Sequence, residues 1–291
     1  MTVENARTAV IIGTCCYSDE LLEDVRKTKT ACTLYSWNPY VDGRIHVNPF
    51  RMDACVDTLL RHGVTRVLHA GAVSVDDFSA LLNNAGKEDD DNIRYQNEAY
   101  LRRPAEFYGA YTKRLTEAGI EIIPPWKLFD WYRPPATIFG YEDDESRFLA
   151  SVAEGLVLET QAACFRVIQA EGASTDTTRI GYIPRSMVYE IAGEPPDITP
   201  LAIERTGSRD MLRALPPKSR PSWRLLLKVC PAGFPRYLDC PTISPETIEA
   251  ARDAYIDLIA IDINHGLIIN PQATVAAAIE AGIVLYGFSR D

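Results

Sequence analysis

Short apolar runs alternate with amphipathic stretches of helix length along this chain, and that pattern restricts the fold to strands crossed by helices. Residues 9–13 (AVIIG), 32–37 and 66–70 (RVLHA) read as buried strands. Between them, residues 53–62 place Cys55, Val56, Leu59 and Leu60 at helical spacing and stop at Gly63, a residue type suited to ending a helix. Further helices are predicted from about Ser18, over 75–82 and over 104–118, the last closed by Gly119. Residues 87–92 are a charged loop and 120–123 a short strand. Strands separated by helices of this length imply right-handed β-α-β units and a mainly parallel sheet.

The second half repeats the alternation. Residues 133–144 combine Pro, Gly and acids, which suits a linker, and a long helix follows over 145–169. Strands are expected within 180–191, then a Pro-rich excursion over 194–200 and a loop over 216–221. Residues 224–229, 258–262, 267–269 and 283–288 read as strands. Ser244-Pro245-Glu246 is a helix start, with Ser as N-cap and Pro at the first helical position, and puts Ile248, Ala251 and Tyr255 on one face. Asn270-Pro271 opens the last helix and Gly282 ends it. The length of 291 residues exceeds the usual span of one domain. An α/β protein of two domains is expected: a Rossmann-like N-terminal domain over 1–140 and a second α/β domain over 141–291.

Charge and cysteine content narrow the function classes. A formal net charge of -10 with no basic stripe argues against a nucleic-acid partner. No apolar run reaches the roughly 18 residues that span a bilayer, so no transmembrane segment is expected, and residues 1–7 lack the apolar core of a secretory signal. The seven cysteines are odd in number, form no C-x-x-C pair and lie mostly in apolar segments, which suits reduced thiols and a cytoplasmic location. A small-molecule substrate is the expected partner, and a homodimer is left open.

Several residues stand where chemistry is done in α/β folds. The first strand runs into Gly13 and a helix entry, a place where such folds hold phosphates. With one glycine and with Asp19 and Glu20 in the first turn, the plain reading of a capped helix is favoured. The four histidines form neither H-x-x-H nor H-E-x-x-H; His69 at a strand end and His265 in a turn read as surface or core residues before they read as catalytic ones. In residues 228–288, Lys228 ends a strand, and Asp239 precedes a helix entry where a carboxylate can hold a divalent cation. Thr242 and nearby amides could take phosphate oxygens. Asp262 ends the next parallel strand, on the edge where α/β proteins bind ligands. The competing reading, that Asp239 caps a turn and Asp262 faces solvent, is equally weighted.

The same block, KVCPAGFPRYLDCPTISPET, resembles K-V-x-K-P-x-Q-D-x-R-x-D-L-P-T-I-G-P-x-T of the LpxI-type UDP-2,3-diacylglucosamine pyrophosphatases of lipid A biosynthesis. Lys228, Asp239, Pro241, Thr242 and Ile243 fall on matching positions, and the acid of a later A-V-E-A-G is carried over as Asp262. Residues 201–206, with Glu204, resemble the family's E-A-I-E-G-T, and His69-Ala70-Gly71-Ala72-Val73 resembles its A-G-K-V segment. The resemblance covers roughly the last hundred residues well and is thin before residue 150. It implies a magnesium-dependent hydrolase with its ligand cleft between the two domains, cleaving a phosphoanhydride or phosphoester of a nucleotide-type metabolite. In that reading Asp239, Lys228 and Thr242 are catalytic, Gly13, Gly71, Glu204 and Ser244 bind substrate, and Asp239 with Asp262 holds Mg2+. Pro231, Phe234, Pro235 and Ala72 replace polar or cationic family residues, so an altered substrate is expected. The alternatives are a non-hydrolytic ligand binder, or a different chemistry on the same scaffold using His69 or Cys240. Convergence of Asp239, Asp262 and Glu204 would favour the hydrolase; scattered carboxylates would favour the binder.

Overall fold

The structure, a computed structural model, describes residues 7–12, 23, 32–36, 44–70, 104–139, 142–172, 185–205, 207–218, 221–231 and 240–289. The chain divides into two compact units: one of Met1–Leu128, Ala170–Tyr182 and Phe234–Asp239, the other of Phe129–Gln169, Ile183–Gly233 and Cys240–Asp291.

In the first unit, β1 (Arg7–Ile12), β2 (Cys32–Ser36), β3 (Ile45–His46), β4 (Val64–Ala70) and β5 (Glu121–Ile122) form one sheet in the order β3-β2-β1-β4-β5. All of its pairings are parallel, and the order reverses at β1, as in Rossmann-like sheets. Helices α1 (Met52–Arg61) and α2 (Pro104–Glu117) supply Cys55, Val56, Leu59, Phe107, Tyr111 and Leu115 to the core. The Phe50 and Phe107 rings meet at 4.8 Å, and Tyr111 OH lies 3.9 Å from Cys55 Sγ.

The second unit is built on six strands. These are β6 (Ile138–Phe139), β7 (Ser186–Ala192), β8 (Asp197–Ile203), β9 (Trp223–Lys228), β11 (Leu258–Asp262) and β13 (Val284–Phe288). Their order is β6-β13-β11-β9-β7-β8; a separate pair joins β10 (Thr242–Ile243) to β12 (Leu267–Ile268). The three central strands are parallel, and β6, β7 and β8 run against their neighbours, so this sheet is mixed rather than mainly parallel. Strands β9 and β11 are buried on both faces, which is why they read as continuous apolar runs. One face takes Leu225, Leu227 and Leu258 against helix α3 (Asp144–Gly172). The other takes Leu226, Ile259 and Ile261 against α4 (Ser208–Arg213), α5 (Pro245–Asp253) and α6 (Pro271–Ala281). Each such leucine or isoleucine contributes about 1.5–3 kcal/mol by burial.

Two expectations are corrected here. The linker 133–144 contains an edge strand, β6, held antiparallel on β13. The Pro-rich excursion contains most of β8, where Pro200 sits opposite Tyr189 at a register shift; an edge strand tolerates a proline because its outer side needs no N–H. The long helix Asp144–Val167 is apolar by length and composition, though charged residues such as Glu154 and Glu159 interrupt it. Its Leu149, Ala153, Val157 and Cys164 pack on the sheet, which accounts for the apolar character.

Candidate functional site

Strand β11 ends at Asp262, at the carboxyl end of the central parallel strands, and the chain then turns within four residues. The carbonyl of Asp262 accepts from Gly266 N at 2.6 Å and from His265 N at 3.4 Å. Its side chain closes the same turn: Oδ1 accepts the Asn264 N–H at 2.8 Å, an Asx-type bond. Oδ2 lies 2.7 Å from His265 Nδ1. A Cβ at Gly266 would stand 2.5 Å from both the Asp262 carbonyl oxygen and an Ile261 carbon, so only glycine lets the turn close this tightly. The Asn264 side chain donates to Ser289 Oγ at 3.2 Å and fixes the outer end of the turn.

The electrostatics follow from burial. Asp262 is 5% exposed and His265 keeps 18% of its side-chain surface. A carboxylate accepts only, so an ionised Asp262 takes this bond from an Nδ1–H of the His265 ring. The i,i+3 pairing is set by backbone bonds before any side chain chooses a rotamer.

The remaining sequence-predicted residues divide among three places. Lys228 is buried, and its Nζ donates to Ser208 Oγ at 2.6 Å and Ser186 Oγ at 3.1 Å. Glu204, also buried, takes Ser208 Oγ on Oε1 at 2.7 Å and Arg185 N on Oε2 at 2.9 Å. Together they tie the ends of β7, β8 and β9 to the start of α4. Ser244 is the N-cap of α5, accepting from Thr247 N at 3.4 Å and donating to Glu246 Oε2 at 2.6 Å, as its place before Pro245 predicts. Thr242 Oγ1 donates to the Cys240 carbonyl at 2.9 Å. Gly13, Gly71 and Asp239 lie outside the described residues.

Asp262 and Glu204 share no partner in these networks. Among the described residues no group of three or more His, Cys, Asp or Glu side chains comes together as a metal site would require. Both Asp262 oxygens take part in the turn, and Asp239, the other predicted magnesium ligand, lies outside the described residues. A cavity of about 470 Å³ between α4 and α5, with Arg209, Arg213, Glu246, Asp253 and Tyr255 on its walls, includes none of the predicted residues. His69, weighed as a cleft residue, is buried edge-on to Tyr111, and burial pushes its pKa down to about 3. The sequence signal for the Asp262–His265 pair was the D-x-x-H spacing across a turn that ends in glycine.

The metal-dependent phosphoanhydride or phosphoester hydrolase implied by the resemblance is therefore corrected. Among the described residues no metal-holding group of three forms, the predicted lysine donates to serine hydroxyls, and Asp262 is bound to an imidazole. Among solved structures, the chain aligns with CobK precorrin-6A reductase. The two are 11% identical, with 98% of this chain and 88% of that chain covered at a TM-score of 0.30, an overlay too loose to carry chemistry across. No curated protein matches the chain. Residues 198–286, less than a third of the chain, match the LpxI C-terminal domain, in agreement with the resemblance read there.

Proposed function

We propose that this protein is an enzyme whose second unit transfers a proton to or from a small-molecule substrate through His265, with Asp262 as its positioning residue. The observation that carries this reading is the 2.7 Å contact between a buried carboxylate and His265 Nδ1 at the carboxyl end of β11. The coarse statement, an enzyme, is supported by the family match. The reaction is carried by this chain's own imidazole. A carboxylate behind Nδ1 orients the ring, fixes its tautomer and stabilises the imidazolium formed when Nε2 takes a proton. The proposed compartment is the cytoplasm, supported by Cys32, Cys55, Cys164, Cys230 and Cys240, all of which carry thiols outside any disulfide.

The test reads the tautomer directly. Nitrogen-labelled histidine spectra above pH 8 are expected to show His265 protonated on Nδ1, and Asp262→Asn should redistribute that proton. In a turnover screen of small metabolites, His265→Gln is expected to lose about 10²–10⁴ in rate. An Nε2-protonated His265 in the intact protein, or full turnover by His265→Gln, would end this reading.

A further inference from the structure

The cavity between α4 and α5 has a buried cation on its wall. Arg224, the second residue of β9, is 2% exposed and lines that cavity. Its Nη1 donates to the Ala254 carbonyl at 3.0 Å and its Nη2 to the Pro216 carbonyl at 2.8 Å, so the guanidinium ties two sides of the lining together. Both acceptors are neutral, and the Nε–H has no hydrogen-bond partner. The carboxylate beside it, Glu190 Oε1, stands 3.7 Å away and already accepts from Ser222 Oγ at 2.9 Å. A desolvated guanidinium met mainly by carbonyls attracts an anion, and its planar fork suits a carboxylate. The acids that α5 adds to the lining have partners of their own. Ser244 Oγ donates to Glu246, and Arg252 is bonded to Asp253 with Glu249 also near its guanidinium. These acids disfavour a second negative charge on a ligand, which selects a carboxylate over a phosphate dianion.

Beside this cation the lining is apolar, with Leu212, Leu215, Pro216 and Pro217. Tyr255, also on the lining, follows the end of α5 at a φ of 58° and is 60% exposed. Glycine is the usual residue in that left-handed position after a helix. A tyrosine held there against its steric preference, with its ring left in solvent, points to a role outside the fold itself. We infer that this cavity is a second ligand site, for a small aromatic carboxylate, with Arg224 binding the carboxylate and Tyr255 lying against the ring. Its volume of about 470 Å³ is that of a small-molecule site. Arg224 stands four residues before Lys228 along β9, about 13 Å at the rise of a strand. The cavity therefore lies toward the other end of the sheet from Asp262 and His265, and the inference stands apart from the proton-transfer reading.

The experiment uses the whole protein and titrates it with benzoate, indole-3-acetate and the neutral amide of each, read by calorimetry and by tyrosine ring signals in NMR. At least one acid is expected to bind with a Kd at or below about 1 mM. Its amide should bind at least roughly tenfold more weakly, because the guanidinium then meets no charge. Tyr255→Gly puts the favoured residue at that φ, so it should keep or raise the thermal midpoint while weakening the acid at least about fivefold. Arg224→Gln should erase the preference for acid over amide; if that variant does not fold, the amide comparison and Tyr255→Gly decide. His265→Gln should bind as the intact protein does. No binding of either acid up to about 10 mM, equal binding of acid and amide, or unchanged binding by Tyr255→Gly overturns the proposal. Binding lost in His265→Gln overturns it too, since the ligand would then sit at the carboxyl edge of the sheet.

Discussion

Burial holds the His69 imidazole neutral, with a pKa near 3, while the same residue in an unfolded chain protonates near its ordinary value of about 6.5. Between those two values the unfolded state binds the extra proton, so this residue makes stability fall as pH falls, and its contribution is complete only above pH 6.5. From pH 6.5 to 5 the loss assigned to it is about 2 kcal/mol. His69→Gln, which cannot titrate, is expected to flatten that part of a urea-unfolding series; an unchanged slope would show that the native ring protonates freely. Single residues also mark the limit of what sequence made legible in the candidate site. Asp262 and His265 were each visible, one at a strand end and one in a turn. Their pairing depended on a turn closed by Asn264 N–H and by a glycine without room for a Cβ. Lys228 was placed correctly at the end of β9, but the hydroxyls that enclose it come from residues 20 and 42 positions away.

Elements with long runs of one kind were legible, and short ones were not. Strands β9, β11 and β13 announce themselves because both faces are buried, and α5 because Ser244-Pro245 marks its start. The two-residue strands β3, β6 and β10 carry no period to read, and α4, at six residues, is set by its packing against α5. Tyr255, assigned from helical spacing to one face of α5 with Ile248 and Ala251, lies beyond the helix end at a φ of 58° and is exposed, whereas Ile248 and Ala251 are buried. Two substitutions test element ends. Ser244→Ala removes the cap of α5 and is expected to cost about 1 kcal/mol in denaturant unfolding. Gly287→Ala in β13 should cost more, about 2–4 kcal/mol, because a Cβ there would stand 1.8 Å from the Pro135 carbonyl oxygen and the segment before β6 must move. Equal, small effects for the two would refute that close approach.

At the scale of the whole molecule, the second sheet is closed by strands far apart in sequence: β6, its first, pairs with β13, its last. Removing residues 283–291 would leave β6 without its neighbour and open the edge of β11, a fully buried strand. Exposed apolar edges invite pairing with other chains. The shortened protein is therefore expected to lose its cooperative thermal transition by circular dichroism and to elute as aggregates; a monomer with an intact transition would show that β13 is dispensable. The same closure imposes an order on synthesis. Phe139 and its partner Leu285 are 146 residues apart, an interval of about 7–30 s at translation rates of roughly 5–20 residues per second. Helix α3 leaves the ribosome before five of the six strands of the sheet that will cover it, only β6 preceding it. For those seconds the nascent chain shows chaperones an apolar helix face that only the later strands can cover.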